Sequence, residues 1–98
     1  SDVYKRQPQN GVYLIQCNWD NQKYFGMMNV GKRPTVSGKK NQIETYFFNF
    51  EGDLYGKKLK IELLEKIRDE KKYESLEILR NQLGIDKNSC QKLIPKYS

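Results

Sequence analysis

The feature that most constrains the fold of this chain is a change of hydrophobic period near Tyr73. Before that residue, β-branched and aromatic residues occur in short runs separated by clusters of Gly, Asn, Asp and Pro. This pattern is typical of strands joined by turns. After it, Leu76, Leu79 and Leu83 recur at the spacing of one helix face. Strands first and helices last predict a mostly β, α+β domain whose helices pack on an antiparallel sheet.

Four segments are predicted to form strands: residues 11–17, 23–30, 42–50 and 57–67. The fourth is also compatible with an amphipathic helix, although its alternation favours a strand. The polar residues 18–22 predict a turn, and the Gly-rich, basic residues 31–41 predict a loop. Gly26 lies inside the second strand, which indicates a bulge or a close backbone approach.

The helical part carries its own start and stop signals. Ser75 is predicted to cap the N-terminus of a helix, and Gly84 is predicted to end it. Asp86 would then cap a second short helix that ends at Pro95. The sequence therefore predicts one or two C-terminal helices.

Composition limits the chemistry. The chain has 98 residues, no His, two Cys and a net charge of +6. Without His, Ser-His and Cys-His nucleophiles are excluded, so an enzyme of this sequence would use carboxylates, phosphate-binding groups or an oxygen-held metal. The positive charge suits a nucleic acid, although the mixed signs along the chain fit an ordinary Lys-rich surface better. With no CxxC motif and no membrane-spanning apolar run, we expect a reduced, cytoplasmic protein.

Three features could carry chemistry. The loop at 29–35, with the Lys residues that follow it, could hold an anion or could be an ordinary basic loop. Glu44 lies within an aromatic strand, on the same predicted face as Tyr46, so it either faces a cleft or lies at a wet edge. Residues 67–79 place Arg68 before the helix and Tyr73 at its entrance, which is also compatible with an ordinary charged connection. The residues alone leave these alternatives open.

Five segments in order resemble a known family. They are PQNGVY (8–13), NVGKRPT (29–35), IET (43–45) followed by DLYG (53–56), IRDEKKYESLEIL (67–79) and LGIDKNSC (83–90). Together they resemble the C-terminal part of the riboflavin kinase domain, as found in bacterial bifunctional riboflavin kinase/FMN adenylyltransferase. Tyr73 stands where that family usually has Phe.

The resemblance implies a six-stranded antiparallel barrel with C-terminal helices, of which this chain would form part. It also implies ATP-dependent phosphorylation of the riboflavin 5′-hydroxyl to give FMN, with Mg²⁺. Glu44 matches the family's catalytic carboxylate. A carboxylate is too weak a base to ionise a free alcohol, but it can orient the hydroxyl and take its proton in the transition state.

The same resemblance assigns binding residues. It places Phe47, Asn49 and Tyr55 near the nucleotide, and it places Arg68 and Tyr73 beside the flavin. In the family, a Gly-rich flap and a Pro-Thr-Ala-Asn segment hold Mg²⁺ and the phosphates, upstream of the position of Pro8. We therefore expect no metal ligand in these 98 residues and no kinase activity from them alone.

The resemblance to the family begins at Pro8. The residues before it, DVYKRQ (2–7), can be read from a nucleotide string that resembles the end of a transposase adapter used in sequencing libraries. We expect residues 1–7 to be non-native and residues 8–98 to be the C-terminal part of a riboflavin kinase domain. A barrel without its first strands would expose sheet edges, so we expect this chain to be marginally folded or prone to aggregation.

The expected partners are the small molecules riboflavin and ATP, with an FMN adenylyltransferase domain upstream in the parent chain. No membrane is expected, and nucleic acid is disfavoured. Two alternatives stay open: a small basic nucleic-acid-binding β-domain, and a flavin-binding module without catalysis. Steeply salt-dependent binding to single-stranded nucleic acid would favour the first alternative.

Overall fold

The computed structural model describes residues 9–50 and 59–98. In chain order it contains β1 (Gly11–Trp19), β2 (Gln22–Thr35), β3 (Gly38–Phe47), β4 (Ile61–Arg68) and α1 (Leu76–Tyr97). The strands form one antiparallel sheet in the order β3-β2-β1-β4. The predicted mostly β, α+β class is confirmed. The described residues show four strands in an unclosed sheet, rather than the six strands of the expected barrel.

The turns between the first three strands are tight. Asp20 and Asn21 join β1 to β2 with φ angles of 52° and 61°, as in the type I′ turns that match the twist of a hairpin. This confirms the predicted turn. The predicted loop at 31–41 is wrong, because β2 continues to Thr35 and β3 begins at Gly38. Pairing across this hairpin gives the backbone groups partners that an open loop would lack.

The sheet carries a hydrophobic cluster on each face, as strand alternation requires. On one face the buried residues are Tyr13, Ile15, Met28 and Val30, with Phe47 and Ile61 packed against them. On the other face, Leu14 and Phe48 meet Cys90 of α1. Gly26 confirms the predicted close approach, since a Cβ there would collide with the carbonyl oxygen of Tyr46 on β3.

The C-terminal region is one continuous helix, so the expectation that Gly84 ends a first helix and Asp86 caps a second is wrong. A Gly inside a helix costs about 1 kcal/mol relative to Ala, which the packing of Cys90 and its neighbours against the sheet offsets. The predicted cap is confirmed: the Ser75 hydroxyl accepts a hydrogen bond from the Ile78 N–H at 3.2 Å. No helix within the described ranges is long and apolar enough to cross a membrane.

Candidate active site

A cleft of about 470 Å³ opens on the face of the sheet that carries α1. The sheet contributes Asn29, Gly31, Lys32, Gln42 and Glu44, and the end of β4 with the connection to α1 contributes Arg68, Glu70, Lys71, Lys72 and Tyr73. The cleft therefore brings together Glu44, Arg68 and Tyr73, three of the residues that the sequence singled out.

Glu44 projects into this cleft from β3. It is paired in register with Asn29 of β2, and paired residues in a sheet share a face. The Gln42 side chain donates a hydrogen bond to Glu44 Oε1 at 3.0 Å. Glu44 is exposed, so its carboxylate lies where a ligand entering the cleft can reach it.

Arg68 is fixed by a buried acidic partner. Its Nε and Nη2 donate to the two carboxylate oxygens of Asp86 at 2.8 and 2.7 Å, and Gln82 donates to the same carboxylate at 2.9 Å. Asp86 is 1% exposed. The hydrogen bonds that Arg68 donates to Asp86 raise the pKa of Arg68. Since Nη1 also donates to the Asp69 carbonyl at 3.0 Å, the guanidinium is a rigid wall of the cleft.

The role of Asp86 was missed by reasoning from sequence, which treated it as a helix cap. It lies three residues after Leu83 and four before Cys90, on the apolar stripe of α1. A carboxylate on such a stripe needs a buried partner. That position is the signal that could have identified it.

Tyr73 lies against the Arg68 side chain. The Arg68 Cζ is 5.7 Å from the centre of the Tyr73 ring, and the Lys71 Nζ is 5.9 Å from it. Both distances are within the range of cation–π contact. The Tyr73 hydroxyl is shielded from solvent.

The connection after β4 also contacts β2. Glu70 Oε1 accepts a hydrogen bond from the Lys32 N–H at 3.4 Å. A Cβ on Gly31 would lie 2.5 Å from the same oxygen, so the absence of a side chain at Gly31 allows this approach. Lys32, Lys71 and Lys72 surround the cleft with positive charge.

The residues predicted near the nucleotide lie elsewhere. Phe47 packs against the hydrophobic cluster on the opposite face of the sheet from Glu44. Asn49, with a φ of 54°, borders a separate depression with Tyr24 and Phe50. Tyr55 lies outside the described residues. The structure thus does not bring Phe47 or Asn49 into the cleft of Glu44.

The described residues do not form by themselves an all-protein site for the Mg²⁺ that the resemblance implies, because the described part of the chain contains no group of three or more His, Cys, Asp or Glu side chains placed to hold a metal. Glu44 and Glu70 both line the cleft. Mg²⁺ is usually held by one or two carboxylates together with waters and substrate phosphates, so these two carboxylates could contribute to such a site only together with phosphate oxygens.

The sequence is similar to that of a known family. The Flavokinase model, described as riboflavin kinase, matches residues 2–94. The chain belongs to the riboflavin kinase family. Its relatives include a bifunctional riboflavin kinase/FMN adenylyltransferase from Pseudomonas fluorescens, 39% identical over 83 residues, which are 84% of this chain and 27% of that protein.

A riboflavin kinase from Bacillus subtilis, called the RNA-binding riboflavin kinase RibR, is 39% identical over 80% of this chain and 34% of its own length. The bifunctional enzyme of Escherichia coli strain K12 is 36% identical over 81% of this chain and 26% of its own length. The chain therefore spans about a quarter to a third of these relatives.

A solved structure supports the same family fold. The crystal structure of a macrolide-efflux protein from Streptococcus pneumoniae superposes with a TM-score of 0.76 and 34% sequence identity. The match covers 87% of this chain and 28% of that one. In that structure, the sheet and helix described here therefore correspond to part of a longer chain.

Proposed function

We propose that this riboflavin kinase family chain provides the flavin-binding and base-supplying part of an enzyme that transfers the γ-phosphoryl group of ATP to riboflavin. The products are FMN and ADP. The observation that carries the proposal is that Glu44, Arg68 and Tyr73 line one cleft. These residues come from β3, the end of β4 and the connection to α1.

Glu44 has the role of general base. Its carboxylate accepts a hydrogen bond from the riboflavin 5′-hydroxyl and takes that proton as the bond from oxygen to the γ-phosphorus forms. The bond from that phosphorus to the leaving ADP oxygen breaks in the same step. Positioning and proton transfer of this kind suit a phosphoryl transfer, in which the protein does little covalent chemistry.

The flavin side of the site is formed by Arg68 and Tyr73, which present a flat, rigid wall to a flat ring. Lys32, Lys71 and Lys72 supply positive potential at the cleft mouth, which favours phosphate-bearing substrates and products. Phe47, Asn49 and Tyr55 are still proposed to lie near the nucleotide, as the resemblance implies, although Phe47 and Asn49 lie outside the cleft of Glu44.

The nucleotide and metal half is proposed to come from the family segment that precedes the position of Pro8. We accordingly expect the 98-residue chain alone to bind riboflavin without forming FMN. The bifunctional relatives support an adenylyltransferase domain in the parent protein, and a cytoplasmic location belongs to the same proposal. The nucleic-acid alternative has less support, since it rests on the charge of +6 and on the name of one relative.

A chimera tests the proposal. Residues 8–98 would be joined to the part of the Pseudomonas fluorescens relative that precedes its matching region, and FMN formation would be followed by chromatography. We expect turnover in the chimera. Glu44→Gln should reduce the turnover rate by about 10²-fold or more, the usual effect of losing a general base. The affinity for riboflavin should change less than about twofold, because the carboxylate contacts only the reacting hydroxyl.

The matched control is Glu77→Gln, which makes the same change on α1 outside the cleft and should leave turnover unchanged. A chimera that binds riboflavin and ATP yet forms no FMN would contradict the kinase proposal. Full activity of the Glu44→Gln chimera would remove Glu44 from its assigned role.

A further inference from the structure

Glu44 receives a hydrogen bond from a neighbour on its own strand. The Gln42 Nε2 donates to Glu44 Oε1 at 3.0 Å. Residues two apart on a strand lie on the same face of the sheet, and both side chains line the cleft. β3 pairs with β2 at both positions, Gln42 with Gly31 and Glu44 with Asn29. The contact therefore joins two side chains whose backbone positions are fixed by the sheet.

A second carboxylate lies close to Gln42. Its cross-strand partner Gly31 has no side chain, and a Cβ there would lie 2.5 Å from Glu70 Oε1. The Lys32 N–H donates to the same oxygen at 3.4 Å. Two residues along a strand span about 7 Å, so Glu70 and Glu44 lie beside neighbouring rows of the same face. Because carboxylates at this spacing repel each other, a neutral amide donor suits position 42 better than a third acidic side chain.

We propose that Gln42 is a positioning residue for the phosphoryl transfer, which holds the Glu44 carboxylate in the orientation that receives the riboflavin 5′-hydroxyl. The inference rests on the proposed function and deepens it, because it assigns the placement of the general base to a second side chain. The last torsion of a Glu side chain has a broad energy well, and a hydrogen bond to Oε1 restricts it. A misplacement of about 1 Å can cost about 10²-fold in rate.

The same contact contributes little to the stability of the fold. Glu44 is exposed and Gln42 is half-buried, and groups that water can reach exchange one hydrogen-bond partner for another when the contact is lost. The loss of the contact should therefore appear in the rate of the chemical step and leave the melting temperature unchanged. The affinity for riboflavin should also be kept, since Gln42 acts on the carboxylate.

The test is Gln42→Met in the chimera described above, with kcat and the KM for riboflavin measured from FMN formation. Met is also long and unbranched, and it lacks the donor. We expect kcat to fall about tenfold, while the KM changes less than about twofold and the melting temperature is unchanged. The matched control is Gln91→Met, the same replacement at an exposed position of α1, which should alter none of the three quantities.

A double-mutant cycle separates positioning from a structural role. If Gln42 acts through the Glu44 carboxylate, adding Gln42→Met to Glu44→Gln should lower kcat less than about twofold further. Longer incubations make the slow Glu44→Gln background measurable.

Three results would overturn the inference while leaving the proposed function standing. They are an equal loss of kcat in both backgrounds, an unchanged kcat in Gln42→Met, and a loss of kcat accompanied by a lower melting temperature. If the chimera with the unchanged residues 8–98 formed no FMN, the proposed function would fall, and this inference with it.

Discussion

The buried pair between Arg68 and Asp86 gives the sharpest prediction about stability. Asp86→Asn keeps the shape of the side chain but removes the charge that holds both Nε and Nη2 of Arg68. Removing one partner of a buried ion pair costs about 3–5 kcal/mol. A fifth of the Arg68 side chain reaches solvent, and its Nη1 keeps the Asp69 carbonyl, so we expect the lower end, about 3 kcal/mol.

That loss is a large part of the roughly 5–15 kcal/mol that stabilises a typical domain. For a chain of this size it corresponds to a fall in melting temperature of roughly 12–24 °C. Urea unfolding followed by the fluorescence of Trp19, the single tryptophan, would measure it. Replacing both partners, in Arg68→Met with Asp86→Leu, should recover part of the loss because no buried charge is then left unpaired.

Asp69→Asn is the matched control. Asp69 pairs with Lys66 at 2.6 Å, but its side chain is 87% exposed, and exposed pairs contribute little. The same chemical change should therefore leave the unfolding midpoint where it was. Surface substitutions usually change the free energy of unfolding by less than about 0.5 kcal/mol. If Asp86→Asn changed it by no more than that, the argument from burial and bidentate pairing would be wrong.

Two further predictions concern packing and titration. Gly26→Ala should lower the free energy of unfolding by about 2 kcal/mol, because the added Cβ collides with β3. Gly84→Ala has open space around it and should raise the free energy of unfolding by up to about 1 kcal/mol. Urea unfolding would measure the decrease in the first variant and the increase in the second. Burial and the nearby Asp86 raise the pKa of Cys90 from 9.0 to about 11. Folding therefore favours the protonated thiol, and stability present below pH 9 should be lost as the pH rises to 11. Cys90→Ala should flatten this dependence in pH-dependent unfolding curves, and an unchanged slope would contradict it.

Local patterns predicted much of the fold because their causes are local. The Asp20-Asn21 turn follows from residues that tolerate positive φ, and the start of α1 follows from the Ser75 hydroxyl, which reaches an N–H three residues on. The hairpin beyond Gly31 was missed because its Gly, Pro and Lys residues have low strand propensity. Cross-strand pairing with β3 overrode that propensity.

The motifs around Glu44, Arg68 and Tyr73 identified the family, and these three residues line one cleft. The contacts that these residues make could be determined only from the folded structure. Arg68 and Asp86 are 18 positions apart, and the packing of α1 against the sheet brings them together.

The sequence by itself determined the order of strands and helix, the turn at Asp20 and the family, since these depend on residues close together along the chain. Only the tertiary structure decided that Asp86 is a buried partner instead of a cap, and that Glu44 lines the same cleft as Arg68 while Phe47 packs on the other face of the sheet. The physical reason is that burial and ion pairing depend on which distant segments pack together. No local pattern carries that information.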